Sequence, residues 1–251
     1  MNGVFMGTGD QWDRQLNLNK DSAQPVSMDA KEQTLVEYHT LKTSGTSEIV
    51  VKKSTFLGYA YPMSDEQAAI DQLNEIKKMH SDARHHVYAW RLGIPGQPGA
   101  QQLQRYSDDG EPQGTAGLPV LEALSRPDLT DAMVVVVRYF GGILLGRGGL
   151  VRAYGEAAHL AVAAAQPILM TGQDIFRVVL PYALLDTFNH RAQQQGISIL
   201  NTEYTSVVTI EVGVAAEGVE DFSAFVADLS GGDVVPQFCT KRYVPQVLES
   251  L

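Results

Sequence analysis

The stretch MVVVVRYFGGILLGRGGLVRAYGEAAHLAVAAA, residues 133–165, decides the fold of the first part of the chain. Four valines in a row after Met133 form a β-branched run without polar alternation, the pattern of a central strand covered on both faces. Gly141 and Gly142 end the run, and Gly146, Gly148 and Gly149 follow closely. From Gly148 to Ala165 the chain reads as a helix, so rich in alanine that it must pack closely on a sheet. A buried strand, a glycine turn and a small-residue helix predict an α+β domain built around MVVVVRYF.

The flanking sequence extends this pattern. EIVV (48–51) and TFLGYAYP (55–62) predict a hairpin. Ser64 with Gln67 makes a capping box, and Ala68, Ala69, Leu73, Ile76 and Met79 form one face of the helix behind it. His85–Arg91 alternates as a strand. A Gly/Pro/Gln-rich loop, Gly93–Gln101, leads to a strand through Leu103 and Tyr106. A helix over Thr115–Leu124 stops before Pro127, so the order is ββαββαβα. After Pro167 the pattern changes. DIFRVVLPY (174–182), ALLDTFNHRAQQQG (183–196), ISILNTEYT (197–205), VVTIEVGV (207–214), VEDFSAFVADLSGG (219–232) and a strand within Asp233–Val244 read as βαββαβ, the ferredoxin-like split motif. The expected division is a polar, disordered or loosely attached tail over 1–34, a first domain over 35–168 and a second over 169–251, with order beginning near Ser47. Met28 offers an alternative start that makes the first 27 residues an extension.

Composition narrows the function. No run approaches the ~18 apolar residues a membrane span needs, and the N-terminus lacks a basic region followed by an apolar one. One cysteine, Cys239, forms no internal disulfide, so the cytosol is the expected compartment. The net charge is −10, and residues 171–251 hold four cations against ten acids. That balance disfavours bulk attraction to a nucleic-acid backbone, and any phosphate contact must be local.

Three constellations carry chemistry. In YSDDGEPQGTAGLP (106–119), Asp108, Asp109 and Gly110 make a turn, Pro112 and Gly114 restrict the backbone, and Thr115 can cap the next helix. This is either a polar capping loop or an acidic recognition loop. With Glu111 the turn holds three carboxylates, which also offer oxygen ligands to Mg²⁺, although the spacing matches no Ca²⁺ loop. In RYFGGILLGRGGLVRAYGEAA (138–158), free N–H groups at a helix start beside Arg147 and Arg152 can hold a phosphate or carboxylate. The glycines can equally serve turn geometry and packing, and no P-loop or dinucleotide fingerprint is present. In DARHHVYAW (82–90), His85 and His86 face opposite sides of a strand, one to the core and one to the surface, so they do not share a metal. No nucleophile elbow or metalloprotease helix occurs, and nothing in the sequence calls for a metal or cofactor.

Together, DARHHVYAW, YSDDGEPQGTAGLPVLEAL and VVVVRYFGGILLGRGGLVRAY, in this order and spacing, resemble the YigZ/IMPACT family signature, over roughly Glu48 to Ala165. The resemblance implies a first domain with a left-handed βαβ fold, shared with small-subunit ribosomal proteins and elongation factor G. It implies a second domain like the ferredoxin-like last domain of that factor. It implies regulation of translation, since eukaryotic relatives compete for the ribosome-bound activator of an initiation-factor kinase. The surface it implies comprises Arg84, His85, His86, Ser107, Asp108, Asp109, Gly110, Glu111, Pro112, Gly114, Thr115, Gly117, Arg138, Gly141, Gly142, Gly146, Gly148, Gly149, Arg152 and Tyr154, to which the anion reading adds Arg147. Leu118 stands where a basic residue is frequent and Arg147 where a small one is, so one positive group is lost and another gained. The first reading is therefore a cytoplasmic binding module acting on the ribosome, an RNA or a translation factor, with no membrane or DNA partner. A protein-interaction scaffold ranks second, and an enzyme acting on a phosphorylated or carboxylated small molecule third.

Overall fold

The computed structural model describes residues 35–97 and 101–246, and the polar tail over 1–34 lies outside them. Two antiparallel sheets organise an α+β architecture. The first contains β2 (Gly45–Val51), β3 (Ser54–Pro62), β4 (His85–Leu92), β5 (Leu103–Ser107) and β6 (Ala132–Tyr139), in the order β2-β3-β6-β4-β5. As its unbroken apolar run predicts, β6 is central. Val134 and Val136 point to one face, where α2 (Gly117–Ser125) and α3 (Arg147–Ala164) cover them. Met133, Val135 and Val137 point to the other, against α1 (Glu66–Met79). The alanine content of α3 has a steric cause. A Cβ on Gly45 or Gly58 would overlap main-chain atoms of this helix, and Ser47 Oγ donates to the Ala157 carbonyl at 2.7 Å.

The second sheet joins β7 (Pro167–Leu180), β8 (Ser198–Tyr204), β9 (Val208–Val214) and β10 (Gln237–Gln246) in the order β10-β7-β9-β8. Helices α4 (Tyr182–Gln194) and α5 (Val219–Ser230) bury Phe188, Phe222 and Phe225 against one face of it. The element order is the expected βαββαβ, and α5 stops at Gly231, which holds φ 64°.

Several local expectations need correction. The side chain that caps α1 is Asp65, whose carboxylate accepts from Ala68 N at 2.8 Å, one residue later than Ser64. Ala69, Leu73 and Ile76 are buried as expected, but Met79 is exposed at the end of the helix. Order begins before Ser47. A strand β1 (Tyr38–Leu41) pairs with Pro167–Met170 of β7, on the edge of β7 that β9 occupies further along. The main chain of Thr130 donates to the His39 carbonyl at 2.9 Å. β7 itself starts at Pro167, well ahead of Asp174 and across the expected domain boundary. Both extensions depend on partners distant in sequence, which local periodicity does not register.

Candidate binding surface

The site forms at the end of β6, where the strand gives way to the glycine turn. Arg138, the penultimate residue of β6, is buried, and its guanidinium meets the carboxylate of Glu111 at 2.6 Å. Tyr154 of α3 donates its hydroxyl to the same oxygen at 2.8 Å. Burial first, and then the adjacent Glu111 charge, push the Tyr154 phenol far above its ordinary range, so it stays a donor. One buried carboxylate therefore ties the acidic turn to the strand before the glycine turn and to the helix after it. A second tie lies at the surface, where Arg147 donates to the Gln113 carbonyl at 3.0 Å.

The remaining acids serve the local fold. Asp108 accepts from Gly114 N (2.8 Å), Ala116 N (3.0 Å) and Gly117 N (2.8 Å), taking over the capping of α2 that Thr115 was expected to provide. Burial pushes its carboxyl up, but these amides and Arg147 outweigh it and hold the group below its ordinary value. Thr115 Oγ1 instead donates to the Pro112 carbonyl. The Asp109 amide donates to Ser107 Oγ, and the Asp109 carboxylate accepts from His86 N at 2.6 Å. His86 is the core-facing histidine, 3.0 Å from the His80 carbonyl. His85 is half-buried, with Nδ1 donating to the Asp109 carbonyl and Gly110 against its ring. No group of three or more His, Cys, Asp or Glu is placed to hold a metal among the described residues. The three acids proposed as Mg²⁺ ligands are engaged with main-chain amides, Arg138 and Tyr154.

The glycines divide into three kinds. A Cβ on Gly141 would overlap the Lys53 carbonyl, and one on Gly117 would crowd Ser107, so both permit close backbone packing. Gly142 and Gly146 hold φ 83° and 71°, which favours glycine. Gly148 has neither constraint: it is exposed, and a Cβ added there would meet nothing within 4 Å. Gly146 supplies no side-chain cap to α3, so the first amides of this helix, through Gly149, lack an intrahelical acceptor and lie beside the exposed Arg147 and Arg152. Arg84 and Arg152 are exposed and have no ion-pair partner among the described residues. Arg138, by contrast, is not an open cation. The motifs of the sequence do not single out Phe140, Ile143 and Leu144, all exposed on the glycine turn. Their signal is one apolar residue before the glycine pair and two after it, with no periodicity to assign them to a core.

The profile described as Impact N-terminal domain matches residues 52–162, and a domain of unknown function (DUF1949) matches 178–233. An IMPACT family member of Haemophilus influenzae is 34% identical over 203 residues, covering 81% of this chain and 97% of that protein. The chain belongs to the IMPACT family. The family member YigZ of Escherichia coli is 38% identical over 184 residues, 73% of this chain and 89% of its own length. A crystal structure described as that of a hypothetical protein, 33% identical, superposes with a TM-score of 0.50 over 81% of this chain and 97% of that one. Both turns of the site lie inside the Impact N-terminal match.

Proposed function

We propose that the chain is a translation-associated regulatory binding protein, and that it works through the surface where its acidic and glycine turns meet. The observation that carries this reading is the buried Glu111 carboxylate, which holds both turns on one rigid frame through Arg138 and Tyr154. A preorganised frame lowers the ordering cost of binding. Around it, Arg84 and Arg152 are exposed without an ion-pair partner among the described residues, and Arg147 is exposed while donating to the Gln113 carbonyl. Family membership points to translation, and we read the two units as the left-handed βαβ and ferredoxin-like folds that the family resemblance implies, both found in components of that machinery. The enzyme reading loses its candidate groups, because Asp108, Asp109 and Glu111 are engaged in internal hydrogen bonds.

The test is sedimentation of the full chain with ribosomes through a sucrose gradient at low salt. The wild type is expected in the ribosomal fractions, and Arg147→Ala/Arg152→Ala at the top. A wild-type chain that stays wholly at the top and retains no RNA or translation factor overturns the reading.

A further inference from the structure

The glycine turn carries apolar side chains that the described structure leaves exposed, with the Arg138 guanidinium lying over the Phe140 ring, 5.5 Å from its centre. Phe140, Ile143 and Leu144 are 51%, 42% and 82% exposed, whereas Leu145 turns inward against the first core. Single exposed apolar residues are ordinary, but these three are gathered on one short turn. Its start is pinned where Gly141 seats on the Lys53 carbonyl, and its end is fixed by the positive φ of Gly146 before α3.

Cations ring the same turn. Lys52 and Lys53 form the two-residue connection between β2 and β3, with φ of 45° and 65°. That geometry suits Asn-Gly, so a lysine pair there is strained and gives the hairpin no advantage. Arg84 enters β4 beside the end of β6, and Arg147 opens α3. Lys52, Lys53 and Arg84 have no ion-pair partner among the described residues. Of the adjacent acids, Glu111 is withdrawn into its buried pair and Asp108 onto three amides, while Asp82 stays exposed and accepts from the Tyr139 hydroxyl, one carboxylate against the four cations. Next to the turn, Asp82, Ala83, Arg84, Arg138, Tyr139 and Phe140 line a cleft of about 390 Å³, and the Nε–H of Arg138 is buried without a partner. In a chain of net charge −10, this is a local positive rim around an apolar tip.

We propose that this turn docks an acidic amphipathic segment of a partner protein, whose apolar side chains cover Phe140, Ile143 and Leu144 while its carboxylates meet Lys52, Lys53, Arg84 and Arg147. The proposal rests on the reading of the joined turns as a binding surface and names the chemistry of what binds there. Charge complementarity selects a narrow segment, because a broad anionic surface would also face the acidic remainder of the chain. RNA fits less well. Ile143 and Leu144 offer no flat face for a base, and covering them with sugar-phosphate would leave apolar surface unmatched. The mode is that of an amphipathic helix laid on an apolar patch, with its anchors a turn apart.

The probe is a labelled peptide of about four helical turns, with Leu and Phe on one face and Glu elsewhere. A control peptide has the same composition with the apolar residues dispersed. Anisotropy is measured on the full chain, with oligouridine and phosphatidylcholine–phosphatidylserine vesicles as competitors. The amphipathic peptide should bind at least ~10-fold more tightly than the dispersed one, and Leu144→Ser should remove most of that difference. Leu144 is so exposed that its replacement should leave thermal unfolding unchanged. Lys52→Asn/Lys53→Gly should raise the melting temperature and weaken the peptide, a pairing that a purely structural role for the lysines would not produce. Equal binding of both peptides, no binding of either, displacement by oligouridine or vesicles, or an unaffected Leu144→Ser variant overturns the proposal. Ribosome sedimentation separates the two readings. If Leu144→Ser sediments like the wild type, docking through this turn falls while translation association stands. If the wild type fails to sediment and retains no RNA or translation factor, translation association falls and the peptide measurement still decides the docking.

Discussion

The acidic turn and the glycine turn lie side by side, yet they treat their polar groups in opposite ways. In the acidic turn nearly every charged or main-chain group finds an internal partner: Asp108 holds three amides, Asp109 holds His86 N, and Glu111 holds Arg138 and Tyr154. The glycine turn leaves apolar side chains exposed and the start of α3 without a side-chain cap. A motif rich in charge thus turns out to be a clamp, and one rich in glycine the exposed surface. Charge alone is a poor guide to function when burial can turn it to structural use.

The clamp is tested most severely at Glu111. Replacing it with alanine leaves the guanidinium of Arg138 buried without its counter-charge, which typically costs about 3–5 kcal/mol. Urea unfolding of Glu111→Ala should register a loss of that order. A loss below about 1 kcal/mol would mean that the two turns stay together by other contacts. A smaller effect is expected on the glycine side at Gly141. There an added methyl meets the Lys53 main chain, which cannot rotate away as a side-chain end could, and overpacking of this kind costs about 1–3 kcal/mol. Gly141→Ala should unfold at lower urea, with the disturbance centred on the β2–β3 connection in hydrogen exchange.

Asp108 comes next. Losing a carboxylate that caps a helix typically costs about 1–2 kcal/mol, and Asp108→Ala should fall in that range at neutral pH. The sign of its pH dependence follows from the depressed carboxyl. Its stabilising contribution is fully present above the unfolded-state value and is lost as pH falls through the lower folded-state value. The gap between wild type and Asp108→Ala should therefore narrow on acidification below about pH 4. A gap that stays constant through that range would mean that the ionised form gives the cap no advantage.

These tests also mark what the sequence could and could not convey. MVVVVRYF announced a strand covered on both faces, and the alanines of α3 announced close packing, because both properties are local in composition. Asp108, Glu111, Arg138 and Tyr154 were all visible as candidates. Their roles were not, because each contact spans from 6 to 43 positions of sequence and depends on the turns meeting in space. Asp65 displaced Ser64 as the cap of α1 by one position, a choice that depends on where the backbone leaves its extended conformation. The strand β1 was overlooked because its hydrogen bonds go to Thr130 and to β7.

The smallest expected effect carries the sharpest form of the comparison. Gly148 lies in the first turn of α3, exposed, without a positive φ and with open space where a side chain would begin. Alanine is ordinarily preferred to glycine in a helix by about 0.5–1 kcal/mol, because glycine loses more backbone freedom on folding. Gly148→Ala should therefore stabilise the chain by about 0.5 kcal/mol, taking the lower end of that range because first-turn residues are only partly constrained. Gly141→Ala and Gly148→Ala add the same methyl only seven positions apart and should move the urea midpoint in opposite directions. If both destabilise, the whole glycine turn is held by packing and its openness is incidental. If only Gly148→Ala stabilises, the fold has no need of that glycine, and its use must be sought in what approaches the uncapped amides beside it.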